Sequence, residues 1–290
     1  MSVVASEDRF EAFAARKSAE ACAARLEPWA TDTDRHAPDQ RAVGNAWTRR
    51  LFDGDFYLSP AASADLPSTN LVFVQSRDGN TGAADPSTLG GGETDKHLMY
   101  EGLSRVAVDA VLSGAHTLRG GDLVLSVWHP ELVALRRTLG LPRHPVQIVA
   151  SLRGVPLDAG LMFNLPDLRV IIVTVPDAAG AMRDALLVRP WIDTIVMASP
   201  HDLSAAFREL HARGVRRIST IGGRTVARAL IDAALVEDLY LTTSAKAGGE
   251  ANTPLSPRTL HGDLIVRKHG TGEDEGVRFE HLRLQPQSEI

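Results

Sequence analysis

The chain has 290 residues, of which 44% are apolar, 23% charged and 5% aromatic, so it can bury a sizeable core without disulfides or a structural zinc cluster. Its one cysteine, Cys22, excludes an intramolecular disulfide and a multi-thiolate metal site. With 31 basic and 36 acidic residues the net charge is −5, which gives no overall attraction to nucleic acids or to anionic membranes.

The first 65 residues differ in character from the rest. From Ser6 to Leu26 an Ala-rich segment has helix-forming composition, and Pro28 closes it. Residues 31–40 are polar and turn-like, and residues 51–60 mix aromatic residues with turn residues. We therefore predict an N-terminal helical arm over residues 1–65 that either lies on the main domain or forms a dimer contact.

From residue 66 to residue 290, short runs rich in Val, Ile and Leu alternate with helical segments, which predicts an α/β sandwich. The predicted strands are Leu71–Gln75, Ala110–Leu112, Val146–Ala150, Val170–Val175, Thr194–Met197, Arg217–Ile221, Leu239–Thr243, Leu264–Arg267 and Arg278–Leu284. Helical spacing of apolar residues predicts helices that start near Asp95, that run from Leu203 towards Gly214, and that run from Val226 to Ala233.

Several common functional motifs are missing from the chain. It has no G-x-G-x-x-G after the first main-domain strand, no P-loop, no G-x-S-x-G and no H-E-x-x-H, so ordinary Rossmann enzymes, P-loop NTPases, α/β-hydrolases and zincins are disfavoured. The ten His residues are scattered, so no metal site is expected. No apolar stretch reaches the ~20 residues that span a bilayer, and the N-terminus lacks the order of a secretion signal. These features predict a cytoplasmic protein.

Glycines follow two predicted strands. Gly114 ends one strand and is followed by Thr117, while Gly222 and Gly223 lie between another strand and the N-terminus of an amphipathic helix that begins with Arg224 and Thr225. Backbone N–H groups without neighbouring Cβ atoms, together with a helix N-terminus, suit a phosphate group. Two such positions on one sheet suggest a dinucleotide, although each glycine could instead serve only a tight turn or close packing.

Three further groups of polar residues follow predicted strands. Ser151 and Arg153 could hold the 2′-phosphate that distinguishes NADPH from NADH, because a guanidinium pairs with phosphate oxygens, or Arg153 could be an ordinary exposed turn residue. Asp78, in Ser76-Arg77-Asp78-Gly79, and Asp122 are carboxylates at strand exits, where α/β sheets bind ligands. The Gly-rich stretch at residues 80–92 could be a lid or an insertion.

Four sequence segments, in order and with matching spacing over about residues 71–255, resemble the reductase domain of bacterial riboflavin biosynthesis, which has a dihydrofolate-reductase-like fold. The four segments are S-x-D-G at Ser76–Gly79, DAVLSGAHTLRGGDLVL at Asp109–Leu125, GGRTVARALIDAALVEDLYLTTS at Gly222–Ser244 and AGGEANTPL at Ala247–Leu255.

The resemblance implies a three-layer α/β/α sandwich with a mixed, mainly parallel sheet over residues 66–290, and a homodimer. It implies NADPH as cofactor and reduction of a ribosylaminopyrimidine 5′-phosphate, with hydride transfer to the sugar C1′. The residues implied to hold NADPH are Gly114, Thr117, Gly222, Gly223, Arg224 and Thr225, and Ser151 and Arg153 are added to them from their position after a predicted strand. Asp78 and Asp122 would be the catalytic carboxylates at the junction of nicotinamide and substrate, and Ser76 would bind substrate with them.

Two departures from the family pattern concern the substrate half of the site. Many members have a Glu immediately before the paired glycines, whereas this chain has Ile221, and a Lys often found on the strand before S-x-D-G has no counterpart in residues 71–75. We expect no deaminase domain of the kind often fused ahead of this reductase, because Cys22 alone cannot supply its zinc ligands. Two alternatives therefore stay open: another small-molecule NADPH reductase with an altered pocket, and a non-catalytic nucleotide-binding protein.

Overall fold

A computed structural model describes residues 3–83, 88–120 and 122–285 of the chain. Ten strands of the described chain form one sheet in the order β1-β11-β12-β10-β4-β9-β5-β6-β7-β8, and β2 and β3 form a small hairpin. The strands are β1 (Ala30–Asp34), β2 (Arg41–Val43), β3 (Phe56–Leu58), β4 (Ser68–Gln75), β5 (Ala110–Gly114), β6 (Val146–Ala150), β7 (Val170–Thr174), β8 (Ile192–Val196), β9 (Arg217–Thr220), β10 (Asp238–Thr243), β11 (Gly262–His269) and β12 (Arg278–Leu284).

Strands β10, β4, β9, β5, β6, β7 and β8 run parallel to one another, and β12, β11 and β1 continue the sheet with antiparallel pairings. The α-helices are α1 (Val3–Ala23), α2 (Ala46–Phe52), α3 (Gly92–Thr94), α4 (Pro130–Thr138), α5 (Pro176–Ala181), α6 (Arg183–Leu187), α7 (Leu203–Ala212) and α8 (Arg224–Asp232). A π-helix at Asp95–Leu103 continues α3, and 3-10 turns lie at Ala115–Gly120, Leu161–Asn164 and Gly272–Asp274.

Helices cover both faces of the sheet. On one face, Phe207 of α7 and Leu230 of α8 pack against strand residues such as Ile148 and Ile218. On the other, the π-helix and α4 cover β4, β5 and β10, and α1 covers β6 and β7 together with the turn at Leu161–Asn164. The predicted three-layer α/β/α sandwich with a mixed, mainly parallel sheet is therefore confirmed.

The bounds of two strands agree with the sequence prediction. β6 and β12 have the predicted bounds, Val146–Ala150 and Arg278–Leu284. The polar segment that begins at Thr31 differs from its expected turn structure, because Ala30–Asp34 forms β1 and pairs with β11 as an edge strand. Backbone pairing with β11 stabilises this segment although its side chains carry no apolar pattern.

Candidate active site

The carboxyl ends of the parallel strands lie at one edge of the sheet. β9 lies between β4 and β5, although it follows both along the chain, so the strand order reverses at this point. Ligands of open α/β sheets bind at such a reversal, beyond the carboxyl ends of the strands. The loops after β4, β5, β9 and β10 therefore form the candidate site.

The two predicted glycine corners adjoin. A Cβ atom added to Gly222 would lie 3.2 Å from the main-chain N of Gly114 and 3.3 Å from Cβ of Val226. A Cβ atom on Gly114 would lie 3.0 Å from Cγ2 of the same Val226. The absence of both Cβ atoms thus lets the ends of β5 and β9 pack against the first turn of α8. A Cβ atom on Gly223 would meet no protein atom within 4 Å.

The N-terminus of α8 is open towards this edge. Gly223 is its N-cap and provides no side-chain cap. Within the described chain, the N–H groups of Arg224 and Thr225 have no hydrogen-bond partner. A helix of nine residues with free N–H groups and a positive dipole end attracts an anion. Thr225 is exposed, and Thr117 lies on the 3-10 turn that follows Gly114.

The side chain of Arg224 is paired. Its guanidinium lies 3.0 Å from Oε2 of Glu250, with side-chain exposures of 34% and 54%. Glu250 belongs to the Ala247–Leu255 motif, and its main-chain N–H donates to the carbonyl of Gly82 at 2.7 Å. The formal positive charge at this end of α8 is therefore partly neutralised by a carboxylate from the loop after β10.

Ser151 and Arg153 form a turn after β6. The Ser151 hydroxyl donates to the carbonyl of Gly154 at 2.7 Å and accepts from the N–H of Arg153 at 3.4 Å, so the turn engages this hydroxyl. The Arg153 side chain is exposed, and its guanidinium has no protein partner within the described chain. Of the two, Arg153 is the residue that is free to meet an anion.

The S-x-D-G turn joins the loop after β10. Ser76 is 1% exposed, and its Oγ accepts from the N–H of Asn80 at 3.2 Å. Oδ2 of Asp78 accepts from the N–H of Gly248 at 3.0 Å. Ser76 is therefore buried in the turn, while Asp78 links two motifs across neighbouring strands. Residues 84–87 of the Gly-rich stretch that could be a lid or an insertion, like Gly121, lie outside the described residues.

Asp122 is paired with the N-terminal helix. The guanidinium of Arg9, on α1, contacts both carboxylate oxygens, and the Nε–Oδ2 distance is 2.7 Å. The chain after Asp122 runs back along β6, since Leu125 N–H donates to the Gln147 side chain at 2.8 Å. Asp122 is thus tied to α1, and sequence reasoning missed its partner Arg9, which no motif marks.

Ile221 lies in the position directly after β9. It is 8% exposed, and its N–H donates to the carbonyl of Leu112 at 3.0 Å. It packs in the apolar cluster between the sheet and the π-helix. The position directly after β9 is therefore apolar, whereas the family resemblance leads one to expect a carboxylate there.

A carboxylate that sequence reasoning missed lies near the same edge. Asp95, on the π-helix, accepts a hydrogen bond from the Thr242 hydroxyl on β10. The pKa of Asp95 is raised to about 7: removal from water is the largest cause, the charge of Asp274 adds to it, and the hydrogen bond from Thr242 opposes both. A carboxyl group with such a pKa can exchange a proton near neutral pH.

In the described residues, no group of three or more His, Cys, Asp or Glu side chains is arranged to hold a metal ion. No helix of the described chain combines the length and the apolar character that crossing a membrane requires.

The sequence of residues 67–270 matches the family model of the RibD C-terminal domain. No curated protein matches the chain. Solved structures that resemble this fold include a pyrimidine reductase-like protein from Corynebacterium diphtheriae, with a TM-score of 0.61 and 22% identity over 76% of this chain and 92% of that one.

Two other solved structures show the same fold. Acinetobacter baumannii RibD has a TM-score of 0.59 and 18% identity, and the match covers 77% of this chain and 59% of that one. The Saccharomyces cerevisiae riboflavin biosynthesis reductase Rib7 has a TM-score of 0.52 and 17% identity, over 78% and 93% of the two chains.

Proposed function

The chain belongs to the RibD C-terminal domain family, and on that basis we propose that it is an NADPH-dependent reductase of the riboflavin-pathway type. Its substrate would be a 5-amino-6-ribosylaminopyrimidine 5′-phosphate. The observation that carries the proposal is the open N-terminus of α8: a Cβ atom on Gly223 would meet no protein atom within 4 Å, and the contact between Gly222 and Gly114 brings the ends of β9 and β5 together beside it.

The residues present fit the diphosphate of a dinucleotide. Free N–H groups at Arg224 and Thr225 would donate to its oxygens, and open space beside Gly223 gives the phosphates room. Arg153 would meet the 2′-phosphate, since its guanidinium is exposed at the carboxyl end of the strand next to β5. When bound, NADPH would supply the hydride.

On the substrate side, the protein would orient the ribosyl group and exclude water. Asp78 and Asp122 would lie at the junction of nicotinamide and substrate, each held by one contact from another loop or helix, Gly248 and Arg9 respectively. Holding both carboxylates in fixed positions favours a productive geometry, which contributes more to such reactions than any new covalent chemistry from the protein.

A second candidate function keeps the cofactor and changes the substrate. Ile221 cannot accept a hydrogen bond, and an unpaired ribosyl or pyrimidine group costs about 1–3 kcal/mol. The buried, apolar position of Ile221 therefore favours a different carbonyl or imine compound as an alternative substrate.

The test combines binding with turnover. Tryptophan fluorescence measures the affinity for NADPH and NADH, and the absorbance of the reduced nicotinamide follows turnover with the ribosylaminopyrimidine phosphate. We expect micromolar binding of NADPH, weaker binding of NADH, and consumption of NADPH with this substrate. Turnover only with a pterin or another carbonyl compound supports the second candidate, whereas binding with no turnover on any of them contradicts an enzymatic role.

We also infer that the protein acts as a homodimer on a small-molecule substrate. Light scattering coupled to size exclusion tests this inference, and a mass of 31.2 kDa at working concentration contradicts it.

A further inference from the structure

Asp95 occupies an unusual position in the fold. It is the first residue of the π-helix, and its carboxylate accepts a hydrogen bond from the hydroxyl of Thr242. A Cβ atom on Gly91 would overlap this carboxylate, so the glycine leaves the space that the carboxylate fills. π-helical turns are rare and often occur at functional sites.

Strand register places Asp95 at the level of the glycine corners. Leu112 of β5 pairs with Thr220 of β9, Thr220 with Leu71 of β4, and Leu71 with Leu239 of β10. Gly114 lies two residues beyond Leu112, and Thr242 lies three beyond Leu239, so both are at the carboxyl edge. β10 is three strands from β5, a separation of ~14 Å at the usual strand spacing. That separation suits the end of a dinucleotide remote from its diphosphate.

Thr242 also lies on the same face of the sheet as Ile221. Tyr240, two residues before Thr242, packs in the same apolar cluster as Ile221, and alternate residues of a strand share a face. Only β4 separates the strands that carry the two residues. Asp95 thus brings a carboxylate to the face on which Ile221 presents none.

No cation of the described residues neutralises the negative charge that Asp95 carries when it is ionised. Among the described residues the one charge that acts strongly on this carboxylate is Asp274, which also accepts from Trp29 Nε1 at 3.1 Å. On the same helix, Lys96 pairs with Glu93 at 3.1 Å. The His97 ring lies 3.1 Å from Glu101 and 3.3 Å from Glu93. A partly buried carboxyl without a cation destabilises a fold when ionised, so its presence at the carboxyl edge of the sheet indicates function.

We propose that Asp95 is the catalytic acid of the reduction, an inference that rests on the proposed function. The Asp95 carboxylic acid donates its proton to the ribose ring oxygen as the C1′–O4′ bond breaks. The electron pair of that bond goes to O4′, and the lone pair of the attached nitrogen forms the C1′=N double bond. The resulting C1′=N group accepts the hydride from the reduced nicotinamide, which is oxidised. Substrate, hydride and proton together give the open-chain ribityl product, and water reprotonates the carboxylate.

The first test compares Asp95→Asn with Glu93→Gln, which removes an exposed carboxylate of the adjoining turn α3. We expect Asp95→Asn to lower kcat about 100-fold or more, the usual contribution of a general acid. NADPH affinity should stay within twofold of the wild type, and Glu93→Gln should match the wild type in both. Cooperative thermal unfolding of each variant establishes that it is folded. An Asp95→Asn protein with more than a third of the wild-type kcat overturns the proposal.

The second test shifts the pKa of Asp95 and follows the pH dependence of kcat. Wild-type kcat should decline above about pH 7 as Asp95 loses its proton. Because the bond from Thr242 lowers the pKa of Asp95, Thr242→Val should move this decline to higher pH, whereas Thr242→Ser keeps the hydroxyl and should leave it in place. If kcat declines at the same pH in the wild type and in Thr242→Val, Asp95 is not the catalytic acid.

A third readout does not depend on turnover. The infrared difference between wild type and Asp95→Asn at pH 6 should contain the carbonyl band of a protonated carboxyl, and the ribosylaminopyrimidine phosphate should shift this band in the absence of cofactor. If the wild type consumes no NADPH, the proposed function is wrong. If the substrate leaves the frequency of the carboxyl band unchanged, the role of Asp95 is wrong. The two failures are therefore distinguishable.

Discussion

Gly222 and Gly114 touch through their main chains: a Cβ atom on Gly222 would lie 3.2 Å from the N atom of Gly114. The next residue, Gly223, has a different environment, because its Cβ position points into open space and its φ of −58° is available to any residue. Gly223 is thus the position where added atoms probe the ligand path without disturbing the contact between β5 and β9.

Gly223→Val should weaken NADPH binding at least tenfold, since the branched side chain would fill the space beside the free N–H groups of α8. The loss corresponds to about 1.4 kcal/mol or more of binding free energy. Fluorescence titration measures it. Stability should fall by about 1 kcal/mol or less, because valine is a poorer N-cap than glycine.

Gly180→Val is the matched control for this change. Gly180 is exposed on α5, and its Cβ position also meets no atom within 4 Å. It should bind NADPH as the wild type does. If Gly223→Val binds NADPH as tightly as the wild type, the diphosphate does not bind at the N-terminus of α8.

Glu250→Gln should tighten NADPH binding a few-fold. The carboxylate pairs with Arg224 at 3.0 Å and would repel phosphate oxygens near the same guanidinium. Because both side chains are partly exposed, the gain should be about 0.2–1 kcal/mol and should shrink as salt is added. Glu209→Gln serves as control, because it breaks a comparable pair between Glu209 on α7 and Arg213, the residue that follows this helix. A salt-independent loss of affinity would show that Glu250 instead contacts the cofactor favourably.

Arg153→Ser should reduce the affinity for NADPH about tenfold and leave that for NADH unchanged, because a guanidinium contributes to binding only where the 2′-phosphate is present. Titration with both cofactors gives the ratio. Arg169→Ser is the control, since Arg169 is exposed just before β7, at the opposite edge of the sheet. Equal losses for NADPH and NADH would end the 2′-phosphate assignment.

The parts of the site that sequence reasoning could place are those fixed by the main chain. Parallel strands end at one edge, so the glycines at the ends of two of them are brought together once β5 and β9 are neighbours. The strand β6 is equally predictable, since the run Val146–Ala150 is apolar enough to be buried on both faces.

The parts that could not be placed depend on side chains far apart in the sequence. Asp95 and Thr242 are 147 positions apart, and Arg9 and Asp122 are 113 apart. Neither pair has a motif, because each contact follows from how a whole helix packs on the sheet. A single sequence carries no signal for such packing beyond the apolar face of the helix.

Arg9→Ala should raise KM for the pyrimidine substrate about fivefold, since the Asp122 carboxylate would lose the guanidinium that orients both of its oxygens. A partly exposed pair of this kind contributes about 1 kcal/mol. NADPH affinity should not change. Arg16→Ala, which breaks an exposed pair with Glu20 on the same helix, controls for loosening of α1. If both variants raise KM equally, α1 acts through packing and Arg9 has no specific role.

Asp95→Asn should stabilise the protein against unfolding at alkaline pH. The pKa of Asp95 is about 7 in the folded chain and 3.8 ordinarily, so between these values the folded state binds the proton that the unfolded state has lost. Wild-type stability therefore falls as pH rises through this window, by at most about 1.4 kcal/mol per pH unit. The Asn variant lacks this loss, so the difference in free energy of unfolding between this variant and the wild type should grow from pH 4.5 to about 7 and then stay constant.

Denaturant unfolding across pH 4.5–8.5 measures this difference, with Asp193→Asn, which removes an exposed carboxylate, as control. An advantage that does not vary with pH would mean that Asp95 is ionised throughout, and would leave it unable to donate a proton at neutral pH.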